Sequence, residues 1–380
     1  MKKTLLALAV ASVATSAFAN TNVYSYSNGN TSANLGVFAE ARYVYSSFTD
    51  KSRDTTLSSY DKTTNKLSQG RLRFGVYGSI TDSNNLTYSF YTRFQTRYAY
   101  NYSKTRGEVA EKDHSRNGVD LNRAYVQLSH PTFGSFLYGK YVTVADDKFG
   151  DDLEHGFFGS YGDSTPSFTA WSATTGAFDS VATYLAPEFY GVKGGLSYAE
   201  DKSSQYVYTK QLAAKASYNL AGNHVVFIYA NTRDRADRQT LVNANSYDLA
   251  FYNDGLVQDF VLGADFAYQK TNDTSDSTDP TKHRAWSLAG KVSYTGFQYV
   301  QPFLNVAYVN EKVNYSSERV KSKHYNLAVG ASSDVYKYQS AKVTVFGEYF
   351  YSKGKERTVG VEGHTKDTFQ GFNVGAKVSF

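Results

Sequence analysis

The chain of 380 residues contains no cysteine, one methionine, two tryptophans and five prolines. A chain without cysteine has no disulfides, so its core or its sheet must hold it together. Beyond the N-terminal stretch no run approaches about 18 consecutive apolar residues, which excludes a membrane-spanning helix there. The formal net charge of +5 is too small, in a chain of this length, to argue for nucleic-acid binding.

Signatures of common enzyme classes are also missing. The sequence has no G-x-S-x-G, P-loop, HExxH or glycine-rich dinucleotide motif. Its seven histidines are scattered, and none stands at metal-ligand spacing from another. We therefore expect neither an enzyme nor a bound metal or cofactor. A hydrolase whose Ser/His/Asp site is assembled from distant strands is the enzymatic alternative that the sequence leaves open.

Tyrosine and phenylalanine, by contrast, are abundant, with 34 and 25 residues. Helical periodicity is nearly absent, and apolar and polar residues alternate with period two along most of the chain. In the last such segment, for example, Phe372 and Val374 alternate with Asn373 and Lys377. Strands of this kind suit a sheet with lipid on one face and water on the other, with amphipathic rings at the interfaces.

The alternation predicts sixteen strands joined by two classes of connection. The strands lie near 33–47, 69–80, 86–102, 118–130, 134–143, 179–187, 190–200, 205–219, 223–233, 244–252, 258–270, 285–296, 299–315, 321–333, 341–353 and 367–380. Short turns mostly alternate with longer polar connections at 48–68, 103–117, 144–178, 234–243, 271–284 and 354–366. An even number of strands with short turns at one end and long loops at the other is typical of bacterial outer-membrane barrels. We predict an all-β fold, a 16-stranded antiparallel transmembrane β-barrel with short periplasmic turns and long outer loops.

The connection 144–178 is far longer than usual and carries both aromatic and acidic residues. Its aromatic content argues against disorder, because such side chains need something to pack against. Its acidic residues include Asp146, Asp147, Asp151, Asp152 and Glu154. We predict that this third long loop folds into the barrel and sets its acidic groups against basic side chains on the opposite wall. A calcium site is the alternative, but the run DDKFGDD lacks the regular spacing of a calcium loop.

The chain begins with a segment that has the features of a secretory signal. Residues 1–19 combine two lysines, an apolar run and the small-x-small sequence Ala17-Phe18-Ala19. We expect cleavage after residue 19, which leaves 20–380 as a single barrel domain.

Several stretches resemble one known family. The start NVYSYSNGNTSANLGVFAEARYVYSS, the strand pair GRLRFGVYGSITDSNNLTYSFYTRF, the segment LNRAYVQLSHPTFGSFLYGKY and the terminal GAKVSF are similar to Gram-negative general-diffusion porins, and most of all to the major porins of the Pasteurella–Haemophilus branch. The resemblance implies a homotrimer in the outer membrane, a third loop folded into the pore, passive diffusion of small hydrophilic solutes and ions, and a terminal Phe380 that helps close the barrel. The family's loop motif PEFGG is absent from 144–178, and Leu185 replaces a basic residue that many relatives carry after VATY.

A basic wall is predicted from the same strands. The resemblance places Arg71, Arg123 and Lys140 on the pore wall. Alternation within strands independently puts Arg71 with Arg73 on one face and assigns Arg42, Arg93 and Arg123 to faces opposite apolar neighbours. A transverse field between these cations and the acidic loop would give charge-based selectivity. The alternative is that they are ordinary solvated lumen charges.

The sequence thus predicts an outer-membrane porin that interacts with outer-membrane lipid and lipopolysaccharide. A barrel whose long loops bind surfaces or ligands, as an adhesin or receptor does, is the alternative from another class. The contact loops would then be 48–68, 103–117 and 271–284.

Overall fold

The structure, a computed structural model, contains only β-strands as regular elements among the residues that it describes. These residues are 21–29, 31–55, 59–105, 108–116, 118–146, 177–202, 207–220, 222–236, 239–253, 256–276, 279–338 and 341–379. The strands are β1 (Thr21–Asn28), β2 (Thr31–Asp54), β3 (Ser59–Thr81), β4 (Thr87–Thr105), β5 (Glu108–Arg116), β6 (Asp120–His130), β7 (Gly134–Tyr141), β8 (Phe178–Leu185), β9 (Val192–Lys202), β10 (Val207–Leu220), β11 (Asn223–Ala236), β12 (Gln239–Asn253), β13 (Phe260–Asp273), β14 (Thr281–Tyr294), β15 (Gln301–Asn314), β16 (Arg319–Tyr338), β17 (Ala341–Thr358) and β18 (Thr365–Ser379). This part of the chain holds no helix long and apolar enough to span a membrane.

Sixteen of the strands form a closed antiparallel ring. From β6 to β18 each strand pairs with the next in chain order, as do β2 with β3 and β3 with β4, and β4 pairs with β6. The ring closes where β18 pairs with β2, from Thr365 opposite Asp54 to Ser379 opposite Glu40. The predicted 16-stranded antiparallel barrel is therefore confirmed.

The two remaining strands extend the ring at its ends. β1 pairs with the first residues of β2, from Thr21 opposite Val37 to Asn28 opposite Thr31. It continues along the edge that β18 leaves at Glu40, so the start of β2 stays paired. β5 pairs with the second half of β4, beyond the residues of β4 that pair with β6. It therefore extends the sheet at the long-loop end.

Two of the predicted long loops are largely strand. β2 runs on to Asp54 and β3 begins at Ser59, so most of 48–68 is a paired hairpin. Most of 103–117 likewise belongs to β4 and β5. A strand needs only about 9–11 residues to cross a membrane, whereas β2 has 24. Beyond the apolar band both faces are polar, so the alternation that reveals strands is lost there.

The two faces of the sheet have the predicted composition. On β14 and β15 the side chains of Leu288 and Val306 are 56% and 46% exposed, whereas those of Ser287 and Asn305 are fully buried. Phe372 on β18 is likewise exposed, and its neighbour Asn373 is buried. Apolar residues thus cover the outside and polar residues line the inside, as a barrel in lipid requires.

The strand β3 supplies a matched pair of glycines that tests the packing of this wall. Gly75 lies under the ring of Phe38, and an added Cβ would come within 1.9 Å of the Thr92 carbonyl oxygen. Around Gly70 no atom lies within 4 Å of the same position. We expect Gly75→Ala to destabilise the folded barrel by about 1–3 kcal/mol because backbone must move. Gly70→Ala is the control and should leave the barrel unchanged.

The measurement is the temperature at which the folded band converts to the unfolded band on a gel run without boiling. A lowered temperature for Gly75→Ala alone supports the close approach of the Thr92 carbonyl and the Phe38 ring to Gly75. Equal temperatures for both variants would contradict it.

Candidate functional site

Five arginines meet on the inner wall formed by β2, β3, β4 and β6. Arg42 stands opposite Arg71, and Arg93 stands opposite Arg123. Arg71, Arg93 and Arg123 are all near enough to Arg73 to repel it electrostatically. The structure thus brings together Arg42, Arg71, Arg73, Arg93 and Arg123, which the sequence had placed on one wall.

A single carboxylate, that of Glu40 on β2, holds part of this cluster. Its Oε1 lies 3.1 Å from Arg71 Nη2 and 3.5 Å from Arg73 Nη1, and its Oε2 lies 3.4 Å from Lys377 Nζ. The Glu40 side chain is only 14% exposed, so its charge is poorly screened by water. One anion therefore neutralises cations from two different strands, β3 and β18.

Two neutral side chains also hold arginines of this wall in place. Arg73 donates from Nε to Gln95 Oε1 at 2.8 Å, and Arg93 donates from Nε to Asn122 Oδ1 at the same distance. Asn122 is the extra residue of a bulge in β6, where the pairing with β4 shifts between Arg93 and Phe94. A bulge re-aims a side chain without ending the strand, and here it delivers an amide oxygen to Arg93.

Next to the arginines, four aromatic rings line the same wall. Phe38 stacks on Tyr91 with centroids 5.2 Å apart, Tyr91 stacks on Tyr125 at 5.4 Å, and Tyr125 meets Tyr141 edge-on at 4.6 Å. The Arg123 guanidinium lies 5.0 Å from the centroid of the Tyr141 ring. Cation–π contact and ring stacking restrict the arginine's rotamers, so its charge has a fixed position.

The chain enters the barrel interior directly after β7. Thr143 Oγ1 donates to Gln211 Oε1 on β10 at 2.5 Å, and Val144 N donates to Ser197 Oγ on β9 at 3.0 Å. Val144 and Ala145 pack against the buried Ile228 of β11. The first residues of the long connection thus cross the inner faces of β9, β10 and β11.

The predicted acidic partners are described only in part. Asp146 lies at this crossing, with Oδ2 3.9 Å from Arg123 Nη2. The predicted acidic residues Asp147, Asp151, Asp152 and Glu154 lie outside the described residues, as do Phe380 and the segment 1–19. Their roles stay predictions.

The structure separates Lys140 from the arginines, which corrects its predicted place on the basic wall. Lys140 stands opposite Ala124, one position out of phase with Arg123 and Tyr125. Its Nζ lies 2.5 Å from Asp179 Oδ1, and the Asp179 side chain is 59% exposed. It therefore shares the outer face of β7 with Phe136 and Tyr138, which are both exposed.

Sequence reasoning missed Glu40, Gln95, Asn122 and Lys377. Alternation could have found Glu40, because it shares a face with Arg42, and Lys377 was assigned to the inner face without a partner. Nothing in the local sequence marks Asn122, since a bulge is defined by the pairing with the neighbouring strand.

Comparisons with known proteins agree with this architecture. A sequence model of the Gram-negative porin family matches residues 4–377. The outer membrane porin protein OmpD of Citrobacter koseri is 26% identical over 238 residues, which cover 57% of this chain and 61% of that protein. OmpD of Salmonella typhimurium LT2 is 28% identical over 164 residues, or 40% of this chain and 41% of that protein. The alignments thus span less than two thirds of these relatives.

Two solved structures share the fold at low sequence identity. The trimer form of OmpT, an outer membrane protein of Vibrio cholerae, has a TM-score of 0.59 at 13% identity and covers 92% of this chain and 99% of its own. An anion-selective porin from Comamonas acidovorans has a TM-score of 0.52 at 12% identity, with 92% and 100% covered.

The environment of Glu40 predicts that its charge stabilises the barrel. In Glu40→Gln, Arg71, Arg73 and Lys377 lose a shared counter-ion while their mutual repulsion remains. We expect a loss of about 1–3 kcal/mol, which is typical when a charged group loses a poorly exposed hydrogen-bonded partner. The readout is the same gel assay of thermal unfolding. Glu200→Gln removes an exposed carboxylate paired with Lys210 on β10 and serves as the control. An equal effect of both substitutions would show that Glu40 has no special role.

Proposed function

Because the chain belongs to the Gram-negative porin family, we propose that it acts in the outer membrane as a general-diffusion porin. In this function ions and small hydrophilic solutes cross the barrel passively, down their own gradients. The family and the names of the relatives indicate a channel protein rather than an enzyme. The observation that carries the proposal is the charged inner wall of Arg42, Arg71, Arg73, Arg93 and Arg123 inside a closed ring of sixteen strands.

The geometry of the wall supports charge-dependent passage. Barrels of 16–18 strands enclose an aqueous channel, and rings of charged side chains select among ions within such channels. The entry of the chain at Thr143 and Val144 into the interior supports a constriction on the side of β9 to β11. In the proposed constriction Asp147, Asp151, Asp152 and Glu154 of the long connection face the arginines, as Asp146 does.

The proposed assembly is a homotrimer surrounded by outer-membrane lipid and lipopolysaccharide. The support is the family itself and the trimer form of the Vibrio cholerae protein of similar fold. We further propose that residues 1–19 are removed on export, that Phe380 completes β18, and that the chain falls in the Pasteurella–Haemophilus branch.

Single-channel conductance tests the proposal directly. The purified protein without its first nineteen residues is inserted into a planar bilayer. We expect large steps that depend linearly on voltage and occur in groups of three. A folded, heat-modifiable protein that gives no conductance would mean a plugged barrel and would overturn the porin function.

One pair of substitutions tests which residues face the ion path. Arg123→Gln and Lys140→Gln each remove one positive charge from neighbouring strands, but on opposite faces of the sheet. Removing a charge about 10 Å from a passing ion changes its energy by about 0.4 kcal/mol in water, or roughly a factor of two in permeability. We therefore expect Arg123→Gln to raise the permeability of cations relative to anions by roughly a factor of two. The shift of the reversal potential in a salt gradient measures this change. Lys140→Gln should leave the reversal potential unchanged, and a shift of equal size in both would contradict the assignment of faces.

The long hairpins favour a second role that is compatible with the first. β2 and β3 remain paired from Ser32 opposite Thr81 to Asp54 opposite Ser59, well past the length needed to span a membrane. A hairpin of this length presents a rigid surface outside the cell, as an adhesin or receptor would. Shortening the hairpin by joining residue 49 to residue 64, which stand opposite each other, should then abolish surface binding and preserve conductance.

A further inference from the structure

The outer surface of the barrel carries a row of cations at the long-loop end of five successive strands, β13 to β17. In register, Lys270 stands opposite Arg284, Arg284 opposite Lys312, Lys312 opposite Lys321, and Lys321 opposite Arg357. We call Lys270, Arg284, Lys312, Lys321 and Arg357 the outer cation row. Four of the five are exposed, and Lys312 is half-buried. A second pair of outward cations, Lys323 opposite Lys355, lies one outward position nearer the middle of the strands.

Acidic residues at this end of β15 and β17 occupy the other face. Glu311 and Glu356 both stand opposite the buried Ser322, and Ser322 Oγ donates to Glu311 Oε2 at 3.4 Å. Alternation has therefore placed the carboxylates inside and the ammonium and guanidinium groups outside. Among the described residues, no ion pair involves a member of the outer cation row.

Such a row is unfavourable for the isolated chain. Directly opposed residues on one face of an antiparallel sheet have Cβ atoms about 4.5–5.5 Å apart, and like charges in this arrangement are destabilising. At Lys312 the pKa is lowered, chiefly by the charge of the nearby Arg319, which lies outside the row. Arg284 and Lys321 act on it in the same direction. An anion supplied from outside the chain would relieve this repulsion.

The depth of the row indicates where that anion lies. Just toward the middle of the same strands, aromatic rings face outward in contact with one another. Trp286 lies 5.3 Å from Tyr308, Tyr308 lies 5.0 Å from Tyr325, and Tyr268 stands opposite Trp286. Outward aromatic rings of a membrane barrel lie at the level where hydrocarbon meets headgroups. The row lies two to four residues farther out, or about 7–14 Å along the strand, at the level of headgroup phosphates.

Two other outward cations at this end of the barrel have carboxylate partners. On β10 the Lys210 Nζ lies 2.6 Å from Glu200 Oε1 of β9, and on β7 Lys140 is paired with Asp179. These two cations are therefore neutralised within the chain.

We propose that the outer cation row binds the phosphate groups of lipopolysaccharide in the outer leaflet of the membrane. The acyl chains of the lipid would then lie along the apolar outer surface below, beside Leu288, Val306 and the aromatic rings. The inference rests on the outer-membrane location of the family, with the long hairpins outside, and not on the conduction of solutes. Positive residues near an anionic membrane surface contribute about 1 kcal/mol each.

The test compares two variants with the same change in charge. Arg284→Gln, Lys312→Gln and Lys321→Gln are combined in the row variant. Lys193→Gln, Lys202→Gln and Lys210→Gln on β9 and β10 are combined in the control variant. Fluorescent lipid A carrying both phosphates is titrated into each folded protein in neutral detergent, and the same lipid A stripped of its phosphates is the second probe.

We expect the row variant to bind phosphorylated lipid A about 10- to 100-fold more weakly than the unaltered protein, and the control variant to differ by less than about twofold. Stripping the phosphates should weaken binding to the unaltered protein by a similar factor and change little for the row variant. Equal affinities of the row and control variants, or indifference of the unaltered protein to phosphate, would overturn the proposal. A changed oligomeric state of the row variant with unchanged affinity would also overturn it, because the row would then be a contact between copies.

Single-channel conductance of the row variant distinguishes this inference from the proposed function. Retained conductance with lost lipid binding supports both. Retained conductance with unchanged lipid binding refutes only the lipid site.

Discussion

The architecture depends on one constraint, which is that lipid offers no hydrogen bonds to the backbone. An unpaired amide or carbonyl in hydrocarbon costs several kcal/mol, so a spanning sheet must close on itself. β18 and β2 meet this requirement by pairing from Thr365 to Ser379. Where β18 ends, at the residue opposite Glu40, β1 takes over the same edge of β2 from Val37 downward. Closure in turn requires apolar and polar residues to alternate along each strand, because every strand then has one face toward lipid and one toward the interior.

The same alternation distributes the charges of the protein between the two faces of the sheet. Inside, Glu40 holds cations of β3 and β18 together, and the arginines of β2, β3, β4 and β6 form one basic wall. Outside, the cations of β13 to β17 lie above the aromatic rings while Glu311 and Glu356 turn inward. A shift of one residue in register would exchange these faces. Register therefore decides which charges face the interior and which face the outer surface.

Much of this could be predicted from the sequence, and the failures have physical reasons. Alternation gave the number of ring strands and the faces of Arg71, Arg93 and Arg123, because burial in lipid imposes it strictly. It did not give the outer halves of β2 to β5, where water lies on both faces and no pattern is required. Lys140 was placed wrongly because the resemblance of YGK to a family motif outweighed its phase with Phe136 and Tyr138. The hydrogen bond from Arg93 to Asn122 depends on a bulge, which only the pairing of β4 with β6 reveals.

The most direct test of this account uses the absence of cysteine from the chain. Single cysteines are introduced one at a time from Ala214 to Ser217 on β10. The folded protein in liposomes is then treated with a charged water-soluble thiol reagent and with a lipid-soluble one. We expect positions 215 and 217, which are only partly buried on the inner face, to react with the charged reagent, and positions 214 and 216 to react only with the lipid-soluble reagent. Uniform labelling along the strand, or the opposite phase, would contradict a closed barrel with an aqueous interior and the assignment of every charged residue to its face.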